Sequence, residues 1–187
     1  MKKIIFFFLA GILTLGCTLP TFLFPTPESA SPDCLNLDIT EADIASTLDF
    51  GTRLLDTGDW IRTYSADTSQ VYASYGSAEL NAVVFVDTIA FCNTPAELKA
   101  WVTEENLDII LSNYEQHTRE KSCEKDGILL YQFTAFNQGT NYNINLWFSP
   151  LVNPNRALEV MLVFPQADTE SMQTYSTEFF PSLTTCK

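Results

Sequence analysis

The sequence predicts an α+β domain: a largely antiparallel sheet of about six to seven strands with three to four helices packed on it. Three observations lead there. Two groups of segments with a hydrophobic period of two are separated by a segment of helical period. The joints between the later strands, Asp126-Gly127 and Gln138-Gly139, are tight-turn pairs that favour hairpins and so antiparallel neighbours. Helix-start signals stand at Thr40, Thr94 and Asp168, before, between and after the two groups of strands.

Taken in order, Thr40 and Asp43 have the spacing of a capping box, with Asp in place of the usual Glu or Gln. Ile44, Leu48, Gly51 and Leu55 follow at helical spacing, and Gly58 is the stop. Residues 60–64, 70–75 and 81–91 read as three strands joined by polar turns. The run Ala82, Val83, Val84, Phe85, Val86 places the third strand centrally, covered on both faces. Thr94, Pro95 and Glu97 form a complete helix start. Leu98, Trp101 and Val102 make one apolar face, while Leu107, Ile110, Leu111 and Tyr114 point nearly opposite, so a break over 103–106 divides two short helices.

A short strand ends near Cys123, and a longer one covers 128–136. From Asn141 onward, Tyr142, Ile144, Leu146 and Phe148 alternate with Asn141, Asn143, Asn145 and Trp147. This predicts a half-buried strand with an asparagine row on its outer face, ended by Pro150 and Pro154. Residues 157–164 form a last, mostly apolar strand. Asp168 caps a final helix facing inward with Met172, Tyr175 and Phe179, and Pro181 ends it.

Ahead of this domain stand Lys2 and Lys3, an apolar run over 4–15, and Thr14-Leu15-Gly16-Cys17. This order resembles the export signal and lipobox of bacterial lipoproteins. Thr14 and Leu15 stand where that family usually has an aliphatic and then a small residue. The resemblance implies a signal peptide over 1–16, cleavage before Cys17, and a lipid on Cys17. It also implies a domain held outside the cytoplasm at the cell membrane or outer membrane. Two alternatives stay open: an uncleaved anchor, since apolar residues resume at Leu19, Phe22, Leu23 and Phe24, and ordinary secretory cleavage. Residues 17–33, with Pro20, Pro25, Pro27 and Pro32, form a semi-extended linker, and 34–187 form one domain.

The formal net charge of −13 excludes nucleic acid as a partner, because phosphates would be repelled. With Cys17 set aside, Cys34, Cys92, Cys123 and Cys186 are an even set in an exported chain, which reads as disulfides. Cys92 and Cys123 bracket the helix pair, and Cys34 and Cys186 lie near the domain ends, so those two pairings are expected. No pair has C-x-x-C spacing and the one histidine, His117, has no nearby cysteine, so neither a metal nor another cofactor is expected.

The strand-then-helix unit over 157–180 and the hairpins before it resemble the Mog1/PsbP-type α/β/α sandwiches. That likeness is topological and assigns no site residues. Catalytic candidates are sparse. Asp56 and Asp59 flank Gly58 beside Trp60 and could act on a sugar, but they also fit a helix end running into a strand. Glu104, Glu105 and Asp108 suit the first turn of a helix. His117 lies in a polar run. The expected site is therefore a binding face of Tyr142, Asn143, Asn145 and Trp147, presented to a protein or glycan. The expectation is a tethered, non-catalytic binding or accessory domain of the cell envelope. The alternative is an exported carboxylate-dependent hydrolase of glycan or peptide, which needs acids converging in one pocket.

Overall fold

The computed structural model describes residues 37–55, 59–91, 94–151 and 155–187. The leader, Cys17, the linker, Cys34, Asp56 and Cys92 lie outside the described residues. The chain runs α1 (Glu41–Leu55), β1 (Trp60–Ala66), β2 (Gln70–Ser77), β3 (Ala82–Ala90), α2 (Pro95–Trp101) and α3 (Glu104–Ile110). It continues with β4 (Gln116–Lys125), β5 (Ile128–Asn137), β6 (Thr140–Pro150), β7 (Arg156–Pro165) and α4 (Thr169–Phe179). All seven strands make one sheet in the order β1-β2-β3-β7-β6-β5-β4, and every pairing is antiparallel.

The local reasons are those of the sequence. Thr40 N–H donates to Asp43 Oδ2 at 2.9 Å and Asp43 N–H to Thr40 Oγ1 at 3.3 Å, so the reciprocal box closes with Asp. Thr94 and Glu97 close a second box at α2. Thr103 accepts from Asn106 N–H and starts α3, which fixes the break between the two short helices. Asp126 and Gly127 have φ of 53° and 78°, and Gln138 and Gly139 49° and 82°, so both hairpin loops occupy the left-handed region at both turn residues. Asp168 does take the N-cap position of α4, but its carboxyl makes no capping bond. A 3₁₀ turn, Gln166–Asp168, leads into the helix instead.

The core has two layers, one on each face of the sheet. Under α1 and α4 lie Val84, Val86, Leu130, Trp147, Val160, Leu162 and Phe164. Under α2 and α3 lie Phe133, Ile144, Leu146, Phe148 and Val163, packed against Leu98, Leu107 and Leu111. β7 is fourth of seven strands, and all but its last residue are buried. Gly51 lets α1 settle on the ring of Tyr75, where any Cβ would collide with the phenol. That phenol donates to Leu48 O at 3.3 Å.

One disulfide is described, and it corrects the expected connectivity. Cys123 of β4 is bonded to Cys186, which excludes both Cys92–Cys123 and Cys34–Cys186. The C-terminal segment does not return to the start of the domain. It runs back over β5 and β4, where Cys186 N–H donates to Gln132 Oε1 at 3.0 Å and Lys121 Nζ to Cys186 O at 3.3 Å.

Candidate functional site

The four residues of the expected binding face do not form one. β6 lies inside the sheet with helices over both faces, so alternation along it separates two buried sides. Trp147 is fully buried, stacked on Phe180 with ring centres 5.1 Å apart, and its indole N–H donates to Leu183 O at 2.8 Å. Asn145 is 5% exposed and joins three elements: it accepts from Gln132 Nε2 at 2.9 Å and donates to Ser176 Oγ at 3.1 Å. Asn143 is half-buried beside Thr169. These polar groups hold α4 and the C-terminal segment to the sheet. Tyr142 points to the other face.

That other face is unevenly covered. α2 and α3 close it over β5, β6 and part of β7. Over β1, β2, β3 and the near edge of β7 no described helix lies on it, which leaves a groove of about 930 Å³. The expected third strand is thus central but covered on one face only: Val84 and Val86 face α1 and are fully buried, while Val83 and Phe85 open into the groove. Tyr72 and Phe85 lie side by side on the floor, ring centres 5.5 Å apart. Trp101, Ile110 and Tyr114 make the wall below α2 and α3, and Tyr114 meets Tyr142 edge-on at 6.3 Å.

Two acids lie in the floor. Asp87 of β3 and Glu159 of β7 are directly opposite in register, with Tyr72 and Phe148 flanking them in the same cross-strand row. Asp87 is 8% exposed and Glu159 7%. Asp87 Oδ1 accepts from Ala73 N–H at 3.2 Å. The Glu159 carboxyl makes no hydrogen bond among the described residues. No Lys, Arg or His lines the groove among the described residues. Burial, and then the charge of Glu159, pushes the Asp87 carboxyl far above the usual carboxylate range. Burial alone pushes Glu159 up. Burial, then the charges of Asp87 and Glu159, raises the Tyr72 phenol to about 12, and burial raises Tyr114 to about 12. At neutral pH the groove offers phenol donors above a protonated or singly ionised acid pair.

Sequence reasoning passed over both acids. A signal was present: each is a lone carboxylate inside an apolar strand, 82–91 for Asp87 and 157–164 for Glu159. An acid at such a position needs a reason, because burying it unpaired is costly. The acids that were singled out lie elsewhere. Asp59 is exposed at a second depression of about 620 Å³ between the start of β1 and α4, whose charged groups Arg53, Glu79 and Glu178 also face solvent. Trp60 does enter the core, edge-on to Phe164 and Tyr175. Glu104 and Glu105 occupy the first turn of α3. His117 lies on β4, Nε2 3.0 Å from Asp108 Oδ1. Among the described residues no group of three His, Cys, Asp or Glu could hold a metal ion, and no helix is long and apolar enough to cross a membrane. Protein-family models and curated proteins were compared with this chain, and neither comparison finds a match.

Proposed function

We propose that the chain is a membrane-tethered lipoprotein whose extracytoplasmic domain is a non-catalytic binding module, with the half-open sheet face as its ligand seat. The leader ending at Cys17 supports the tether, and the charge of −13 leaves nucleic acid out. One observation carries the binding reading. A sheet face that is helix-covered over its β5–β7 half is left open over its β1–β3 half, with aromatic side chains around a polar floor. Concave, mostly apolar sites with a few convergent polar groups are where small ligands bind. The three-layer arrangement is also what kinship with Mog1/PsbP-type sandwiches would require.

Gly76 provides the test. It lies on the groove floor, and a Cβ there would meet nothing within 4 Å. Gly76→Trp should therefore fill the groove without disturbing the core. The uncharged dye Nile red should bind the full chain and lose at least about tenfold in affinity in the variant, with the melting temperature within a few degrees. Equal binding by both proteins would remove the groove as the seat.

A second reading has one observation in its favour: Asp87 and Glu159 converge, as a carboxylate-dependent hydrolase of glycan or peptide would require. Adjacent in-register positions on one sheet face, however, present both acids to the same side of a bound chain, and a glycosidase needs them to flank the bond. Turnover on a glycan and peptide panel, lost in Glu159→Gln, would establish the hydrolase and displace the binding module.

A further inference from the structure

The chemistry of the floor narrows the ligand class, on the reading that the groove is a binding seat. We propose that the groove takes an organic monocation, a primary or substituted ammonium on an apolar or aromatic body, held by the Asp87–Glu159 pair and the surrounding rings.

Three independent features converge on this class. The first is the lack of any base beside the acids. Two acids share the floor and no basic residue lines the groove among the described residues, so the site has a place for one positive charge and nothing of its own to fill it. The second is the unsatisfied state of Glu159. The residue is more than nine-tenths buried, it lines the groove, and its carboxyl has no hydrogen-bond partner among the described residues. Buried polar groups are as a rule paired, so a carboxyl that meets no donor of the chain and opens toward a groove is placed to receive a counter-ion from outside it. The third is the wall. Tyr72, Phe85, Trp101 and Tyr114 present ring surface beside the acids, and ring faces attract cations that have shed water. A divalent metal does not suit the same floor: two carboxyls and no third His, Cys, Asp or Glu fall short of the oxygen set such ions demand. An anion would meet two acids and, among the described residues, no base.

The assignment carries a proton linkage. The titratable group facing the pair is Tyr72 from β2; Tyr142 from β6 and Tyr114 beyond α3 line the groove further along, and none of the three can supply a positive charge. Free, the pair keeps protons that ordinary carboxyls would have lost. A bound ammonium favours the ionised form, so one cation enters as one proton leaves. Affinity then rises with pH, by up to about tenfold per unit while the pair is still protonated.

The test uses phenyltrimethylammonium and its uncharged carbon counterpart, tert-butylbenzene, titrated against the full chain between pH 5 and 8. The cation should bind at least about tenfold more tightly than tert-butylbenzene at pH 8, and weaken toward pH 5. The Asp87→Asn/Glu159→Gln double variant should bind tert-butylbenzene as before, yet lose both the preference for charge and the pH dependence. Equal affinity for the two probes, or a cation affinity that ignores pH, would overturn the cation assignment and leave the groove as a seat for neutral ligands. If neither probe binds, or if Gly76→Trp binds both as the parent chain does, the groove reading falls together with it.

Discussion

Two buried polar sites lie on opposite sides of β7, and they are built in opposite ways. On the α1 side, Arg156 reaches Asp43 at 2.9 Å and the carbonyls of Leu37 and Asp38 at 3.2 and 2.7 Å. On the groove side, three residues further along the strand, Glu159 stands beside Asp87 with no base. Burial pushes the Asp43 carboxyl up, but the bond from Arg156 and those from Thr40 outweigh it and hold the group below the usual carboxylate range. Asp87 has only the Ala73 N–H and Glu159 has no partner among the described residues, so burial prevails and both are pushed upward. The first site joins the start of α1 to the central strand. Among the described residues the second has one bond, from Ala73 N–H on β2 to Asp87, and no base, and apolar side chains in its place would avoid the cost of burying two acids. The contrast separates a buried charge that builds the domain from a buried pair that contributes little to holding it together.

The largest expected effect comes from breaking the paired site. Arg156→Met removes the guanidinium from Asp43 and from the carbonyls of Leu37 and Asp38, so chemical denaturation should show a loss of roughly 3–5 kcal/mol at pH 7. The pH dependence has a definite sign. Because the folded Asp43 value is lowered, its contribution is present above the ordinary carboxylate range and is lost as pH falls through the folded value. The deficit of Arg156→Met should shrink in acid. A deficit that stays constant from pH 7 to pH 3 would mean the guanidinium acts through packing.

Next comes the closure of the α4 side, which the groove side lacks. Cys123–Cys186 fixes the last residues over β4 and β5, and Leu183 caps the buried indole of Trp147. Cys186→Ser should cost about 2–4 kcal/mol and shift tryptophan emission to the red as water reaches Trp147. A non-reducing peptide map should return a Cys123–Cys186 peptide. A Cys92–Cys123 or Cys34–Cys186 peptide would restore the connectivity expected from the sequence.

Local signals were legible in the sequence and coverage was not. The strand periods, the Asp126-Gly127 and Gln138-Gly139 turns and the Thr40 and Thr94 boxes depend on residues a few positions apart and appear where expected, except that β4 is a full ten-residue strand from Gln116, not a short one; the break before α3 is present but falls at 102–103, at the near edge of the expected 103–106. Alternation in β6 gave its two faces correctly as well. What it could not give is which face a helix covers, because that depends on where α4 and α2 come to rest. Asn145 and Trp147 therefore read as an exposed row and proved to be buried anchors. The disulfide failed for the same reason, since the path of the last residues over β5 is set by long-range packing. Asp87 and Glu159 sit on strands that meet only when β7 inserts beside β3, so nothing in their sequence neighbourhoods pairs them.

The unpaired site should respond with the opposite sign and a smaller size. An unfolded chain gives up these protons near pH 4, while the folded chain keeps them. Stability therefore falls as pH rises from about 4 toward the raised folded values. Asn keeps the acceptor for Ala73 N–H, and neither amide can ionise. Asp87→Asn and Glu159→Gln should each gain roughly 1–3 kcal/mol at pH 8 and little or nothing at pH 4. Loss of stability at pH 8 would show that the pair is held ionised by something in the fold, and the contrast with Asp43 would collapse.

The smallest expected effect belongs to a third arrangement, a paired acid in contact with water. His117 Nε2 meets Asp108 Oδ1 at 3.0 Å, and the ring stands edge-on to Phe133. The carboxylate is 69% exposed, so solvent can replace the bond as soon as it breaks. His117→Ala should then cost no more than about 1 kcal/mol, most of it from the contact with Phe133. His117 does not line the groove, and the depression it borders holds no acid among the described residues. Binding of phenyltrimethylammonium should be unchanged in the variant. If His117→Ala weakens that binding several-fold while the fold stays intact, the α3–β4 corner takes part in the site. The distinction drawn between buried and exposed acids would then no longer separate use from support.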